Sequence, residues 1–312
     1  MKNAVTYLKT RKRRQRFVAP ARGDVVAETF AHPVFAEFGD FFDLLSGPLW
    51  PDLGALNDRV VGAMPRFVAQ TPTMLADGLH YESRIAQHAH IATRAGNWHD
   101  LLNALVWLRY PEIKRALNAR QVADIALVGA RERTRGQCAL TLFDEGGIIV
   151  IARDMALLEP WDRHDWPQLF GTHAALWQNS TRVLIFGHAL LEHALDPEHL
   201  LVGKAVIVEI HADPHDPQVE REAIAGVARA IASGELLQDP RELRAMPISG
   251  LAGWHRSSRD ATERERFLET GECFRPLAAG RQYPGPLEVI SPRAQPSAAS
   301  LIADCQNARM HG

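Results

Sequence analysis

Apolar and polar positions divide the chain into a helical first half and a mixed second half. The clearest helix follows Asn97, a favoured N-cap residue, where Trp98, Leu101, Leu102, Leu105 and Leu108 form a stripe at helical spacing that ends before Pro111. Two further helical runs cover residues 112–118 and 120–128. Residues 138–143 and 148–152 read as β-strands, and Asp144-Glu145-Gly146-Gly147 between them reads as a hairpin turn. Residues 166–178 read as a helix, 182–186 as a short apolar strand, and 188–195 as a helix stopped by Asp196-Pro197. A strand over 204–210 and an amphipathic helix over 219–233, closed by Gly234, complete the periodic part. Upstream, residues 30–49 are partly helical, 57–64 form a short helix closed by Pro65, and a turn-rich stretch holds Tyr81, Glu82, Arg84, His88 and His90.

From Pro240 the periodicity is lost among prolines and glycines. The expected fold is therefore α+β (mixed α/β): a small mixed sheet with a β-hairpin, packed by several helices, and an irregular C-terminal segment. The expected organisation is a basic flexible tail over 1–25, one globular domain over 26–290 with 240–290 wrapping it, and a mobile tail over 291–312.

Composition narrows the function classes. With 46% hydrophobic and 23% charged residues, the 312-residue chain has the make-up of a globular protein rather than a disordered one. Thirty-five basic against 37 acidic side chains leave no global field for gripping nucleic acid. The exception is local: Lys2, Lys9, Arg11, Lys12, Arg13, Arg14 and Arg16 meet no acid before residue 17, so residues 1–16 are the candidate contact for nucleic acid or anionic lipid. No apolar run reaches the roughly 18 residues that span a bilayer. Three scattered cysteines, without a CxxC, fit a reducing, cytoplasmic setting.

Fourteen histidines turn attention to site chemistry. In Asn97-Trp98-His99-Asp100, followed by Asn103, polar residues interrupt a helix that is apolar nearly all round. Asn97 is placed to cap this helix and Asp100 to complete the cap; His99 then bonds a carbonyl or serves as a base or ligand. A second group, Gly187-His188 to Glu192, puts His188 just past a strand and Glu192 one turn on, on the same face. Asp144 is a carboxylate at the expected strand–turn junction, while His211, Asp213, His215 and Asp216 read as a polar loop. No GxGxxG, phosphate loop, GxSxG elbow or zinc-protease motif is present.

The run NWHDLLNALVWLRYPEIKRALN (residues 97–118), then ALTLFDEGG (139–147) and FGHALLEHAL (186–195), resembles the bacterial family DUF3025. The GK at 203–204, the GWH around Trp254 and the FRP at 274–276 are similar as well. The resemblance implies a bacterial, one-domain, cytoplasmic protein, and it carries no catalytic role.

Two functional readings emerge. The first is a metal-dependent hydrolase for an anionic, phosphoester-like substrate. His99, Asp100, Asn103, His188 and Lys204 are its candidate catalytic residues. His99, Asp144, His188 and Glu192 are its candidate ligands for Zn²⁺, Mn²⁺ or Fe²⁺, the metals that suit imidazole with carboxylate. Lys204 and Arg135 would neutralise the substrate. The second is a non-catalytic binding protein that meets nucleic acid or a protein partner through its basic arm and surface aromatics such as Trp161, Trp166 and Trp254. The first reading requires His99 and His188 to share a pocket.

Overall fold

In a computed structural model of the chain, residues 17–129 and 131–289 are described. The basic arm of residues 1–16 and the C-terminal residues 291–312 lie outside them. The fold is α+β. Its frame is a five-stranded mixed sheet of β3 (Gly147–Ala152), β4 (Thr181–Ile185), β5 (Gly203–Glu209), β6 (Arg244–Met246) and β7 (Leu287–Glu288). β3 lies between β4, antiparallel to it, and β5, parallel to it; β6 and β7 share the other edge of β5. Every residue of β3 is buried, which explains an uninterrupted apolar run where a half-exposed strand would alternate. A separate parallel pair, β1 (Arg66–Ala69) and β2 (His90–Thr93), precedes it in the chain.

Seven helices matter for the site and its support: α1 (Tyr81–His88), α2 (Trp98–Arg109), α3 (Pro111–Val128), α4 (Arg135–Gly146), α5 (His188–His193), α6 (Pro217–Ser233) and α7 (Ala261–Thr270). Asn97 caps α2 as its side chain suggests, accepting from Asp100 N at 3.0 Å. Strands β4 and β5 and helices α5 and α6 fall where the pattern places them, within a residue or two.

Several expectations are corrected. Residues 138–143 are not a strand, and no hairpin joins them to β3: they belong to α4. A capping box between Thr134 and Gln137 starts this helix, and Ala139, Leu140 and Phe143 bury one helical face. The two helical runs after Pro111 are one helix, α3. The stretch holding Tyr81 and Glu82 is α1 rather than turns, and His90 opens β2. Beyond Pro240 the chain still forms β6, α7 and β7. Two of the aromatics proposed as a binding surface are core residues: Trp161 is 0% exposed and Trp166 4%. Among the described residues no helix is long and apolar enough to cross a membrane.

Two backbone hydrogen bonds and one close glycine contact bring α4 and α5 together. The N–H groups of Phe186 and Gly187 both donate to Gly147 O, at 3.0 and 2.8 Å. A Cβ on Gly187 would lie 2.5 Å from the backbone of Gly146 and Gly147, so only glycine permits this approach. The last turn of α4 thereby abuts the first turn of α5.

Candidate active site

Polar stripes on four helices meet at one cleft, whose wall includes His99, Asn103, Gln121, Thr141, Asp144 and His188. On α2 the stripe is His99 and Asn103; on α3 it is Lys114, Asn118 and Gln121; on α4 it is Gln137, Thr141 and Asp144; on α5 it is His188 and Glu192. Each follows the three- or four-residue spacing that puts side chains on a common face. These faces and α1 enclose a pocket of about 270 Å³, lined by Tyr81, Glu82, His99, Asn103, Asp144 and His188 among others.

The side chains at its centre are joined in series. Glu192 Oε2 lies 2.9 Å from His99 Nδ1, and His99 Nε2 lies 3.1 Å from His188 Nε2. The two imidazole rings are nearly perpendicular, 4.4 Å between centroids. On the far side of His188, Nδ1 stands 4.0 Å from Asp144 Oδ2 and has no hydrogen-bond partner. Lys114 Nζ, 4% exposed, donates to Asp144 Oδ1 at 2.6 Å and to Asn103 Oδ1 at 2.8 Å. Asn103 Nδ2 in turn donates to the Tyr81 hydroxyl at 3.1 Å.

Electrostatics set the protonation of this chain. The hydrogen bond His99 donates to Glu192 raises the pKa of His99, outweighing the cost of its partial burial. Complete burial lowers His188 to about 4, and Lys114 and His99 add to the effect although Asp144 opposes it. His188 also opens α5, where the positive end of the helix dipole favours a neutral ring. Burial would raise Asp144, yet the charge and hydrogen bond of Lys114, together with the two neighbouring imidazoles, hold it below the ordinary carboxylate range. When His99 is protonated, it donates from Nδ1 to Glu192 and from Nε2 to His188. The remaining proton of His188 then sits on Nδ1, directed toward the Asp144 carboxylate.

The structure thus brings together His99, Asn103, Asp144, His188 and Glu192. Asp100 lines the same pocket, but Arg94 occupies it: Asp100 Oδ2 accepts from Arg94 N at 2.6 Å and Oδ1 from the guanidinium at 2.6 Å. Lys204 pairs with Gly147 at the start of β5 and does not line the cleft. Arg135 is tied to Asp239 at the other end of α4. His211, Asp213, His215 and Asp216 form the expected polar loop, with Asp213 and Asp216 accepting from backbone N–H groups.

The four candidate metal ligands are neighbours, but Glu192 and Asp144 stand on the Nδ1 sides of the two rings while the Nε2 atoms face each other. Among the described residues no group of three or more His, Cys, Asp or Glu side chains is placed to hold a metal ion.

Sequence reasoning missed Glu82, Tyr81 and Lys114. The signal for Lys114 was present: Lys114, Asn118 and Gln121 recur at helical spacing beside the buried Ile113, Ala116 and Leu117. Splitting α3 at Ala119 hid that stripe.

A family model described as a protein of unknown function (DUF3025) matches residues 65–278, more than half of the chain. No curated protein and no solved structure matches it. The matched span contains every side chain of the cleft just described, and the chain belongs to the DUF3025 family.

Proposed function

We propose that this protein is a hydrolase that works by general acid–base catalysis at His99. The observation that carries the reading is the series Glu192–His99–His188, closed at 2.9 and 3.1 Å inside a polar cleft. Glu192 fixes the tautomer of His99 by accepting from Nδ1, so that in the neutral ring the lone pair lies on Nε2, where it accepts from His188 Nε2–H at rest and takes a proton from water in catalysis. The same carboxylate stabilises the imidazolium that forms when Nε2 takes a proton from water. His188, neutral and buried, holds the ring of His99 through Nε2 and spreads that charge toward Asp144. Two histidines in contact whose environments push their pKa values apart are the pattern of an assigned acid–base pair.

The charge of the cleft favours a neutral substrate over an anionic phosphoester. Arg94 is committed to Asp100 and Lys114 to Asp144, while Lys204 and Arg135 stand outside.

The test is a screen of neutral 4-nitrophenyl esters and glycosides with the wild type beside His99→Ala. A positioned general base contributes about 10²- to 10⁴-fold, so a loss in that range is expected for kcat while the variant remains folded by circular dichroism. Unchanged turnover in His99→Ala, or no turnover by the wild type, would sink the reading. A chelator should leave the rate unchanged. A rate abolished by chelation and restored by Zn²⁺, Mn²⁺ or Fe²⁺ would instead make His99 and His188 metal ligands.

A further inference from the structure

The cleft contains a second carboxyl group whose surroundings are opposite to those of Asp144. Glu82 stands in the first turn of α1 and lines the pocket. Its Oε2 accepts from Asn118 Nδ2 at 2.6 Å, and the same amide also donates to Glu82 O at 2.9 Å. Among the described residues no cation pairs with it, whereas Asp144 has Lys114 at 2.6 Å. Oε1 has no protein partner and is not among the fully buried orphan atoms, so it is open to the cleft.

From this geometry we infer that Glu82 is the proton donor to the leaving group, and that the substrate is a neutral ester or glycoside whose leaving group is an alcohol. The inference rests on the acid–base reading of His99. It supplies what that reading lacks, a group that protonates the departing oxygen while His99 activates water. An alkoxide is a poor leaving group and needs this proton; a nitrophenolate does not.

The environment of Glu82 supports the assignment. Burial raises its pKa and the negative charge of Asp144 adds to this, against the Asn118 hydrogen bond and the more distant Lys114. The first-turn position in α1 favours the anion, but the effect is confined to a helix end and burial outweighs it. Beside its charged groups the pocket wall presents the amides and hydroxyls of Gln70, Asn103, Gln121, Thr141 and Tyr81, which suit a hydroxyl-bearing substrate.

The step balances as a hydrolysis. Water oxygen bonds to the electrophilic carbon as the bond from that carbon to the alcohol oxygen breaks. One water proton passes to His99 Nε2, and the Glu82 carboxyl proton passes to the departing oxygen. The resting state returns when His99 loses, and Glu82 regains, one proton through solvent.

The experiment uses the full chain and Glu82→Gln, which keeps an oxygen for Asn118. First, protein labelled with ¹³C at the glutamate carboxyl carbons is titrated by NMR; the resonance missing from Glu82→Gln identifies Glu82. It is expected to be protonated well above the ordinary glutamate range, and a carboxylate already ionised at pH 5 overturns the inference. Second, methyl and 4-nitrophenyl esters and glycosides are compared. Glu82→Gln should lose about 100-fold or more on the methyl substrate and no more than about 3-fold on its 4-nitrophenyl partner, with one limb of the bell-shaped pH profile removed. The ester and glycoside arms show which electrophile is used. Equal losses on both leaving groups overturn the assignment while leaving His99 standing. A wild type that hydrolyses none of these substrates overturns both readings, whatever the NMR titration shows.

Discussion

At the scale of single residues, the two histidines make opposite contributions to stability as pH changes. His188 is lowered in the folded chain to about 4, from an unfolded value of about 6.5. A depressed histidine favours folding above its unfolded pKa, and that contribution is lost as pH falls through the window from about 6.5 to 4. The loss approaches about 3 kcal/mol, since each pKa unit is worth about 1.4 kcal/mol. His99 runs the other way: its raised pKa stabilises the fold below about 6.5, and the benefit disappears as pH rises through its folded value. Replacing His188 with Asn should therefore flatten the acid side of a plot of unfolding free energy against pH. Urea titrations from pH 4 to 8 would show it, and an unchanged slope would mean that His188 protonates freely in the native state. That His99, His188 and Glu192 were legible in the sequence follows from local spacing, because residues four apart on a helix share a face in any fold. That Glu82 and Asp144 share one cleft was not legible, because about 60 residues separate them and only the packing of α1 and α4 against α3 closes the gap.

At the scale of elements, the decisive misreading was α4. The apolar residues of Ala139-Leu140-Thr141-Leu142-Phe143, broken only by Thr141, fit a buried strand and a helix face alike over so short a run. The capping box at Thr134 and Gln137 decides for the helix, and with it Asp144 moves from a hairpin turn to the helical face that meets His188. Thr134→Ala should cost about 1 kcal/mol, the ordinary loss of an N-cap, and leave the proposed turnover of the ester and glycoside substrates unaltered. Gly187→Ala should do more. Its methyl group would press on the backbone of Gly146 and Gly147 at 2.5 Å, and neither peptide is free to yield, since Gly147 O already holds two N–H groups. Loss of about 2 kcal/mol or more is expected from such overpacking, together with a changed His188 ring resonance as α5 moves away from α4. A variant as stable as the wild type, with its histidine spectrum intact, would contradict the close backbone crossing.

At the scale of the whole molecule, a second charged network fixes the helices that bear the site without entering it. Glu37, in the 3₁₀ segment Pro33–Phe41, pairs with both Arg109 and Arg182, and Glu220 of α6 pairs with the same two arginines. Arg109 ends α2, the helix that begins beside His99, and Arg182 lies in β4, which leads through Gly187 into His188. The four charges thus tie together the far ends of the two elements whose near ends place the imidazoles 3.1 Å apart. Glu37 is the most enclosed of the four, its side chain 6% exposed, so its charge is shielded mainly by its partners rather than by water. Glu37→Ala leaves both arginines with Glu220 alone, and a net charge in a partly buried place; the expected loss is about 2–3 kcal/mol. Because salt screens enclosed pairs weakly, the same loss should persist in 0.5 M NaCl, where an exposed pair such as Arg59–Asp43 would contribute little. If the network also sets the spacing of the site, Glu37→Ala should shift the titration of His99, although Glu37 touches neither histidine. Urea unfolding and histidine NMR on one variant separate the two effects: lost stability with an unmoved His99 titration makes the network a brace for the core only, whereas a shift in both shows that the distant charges hold the acid–base pair in register.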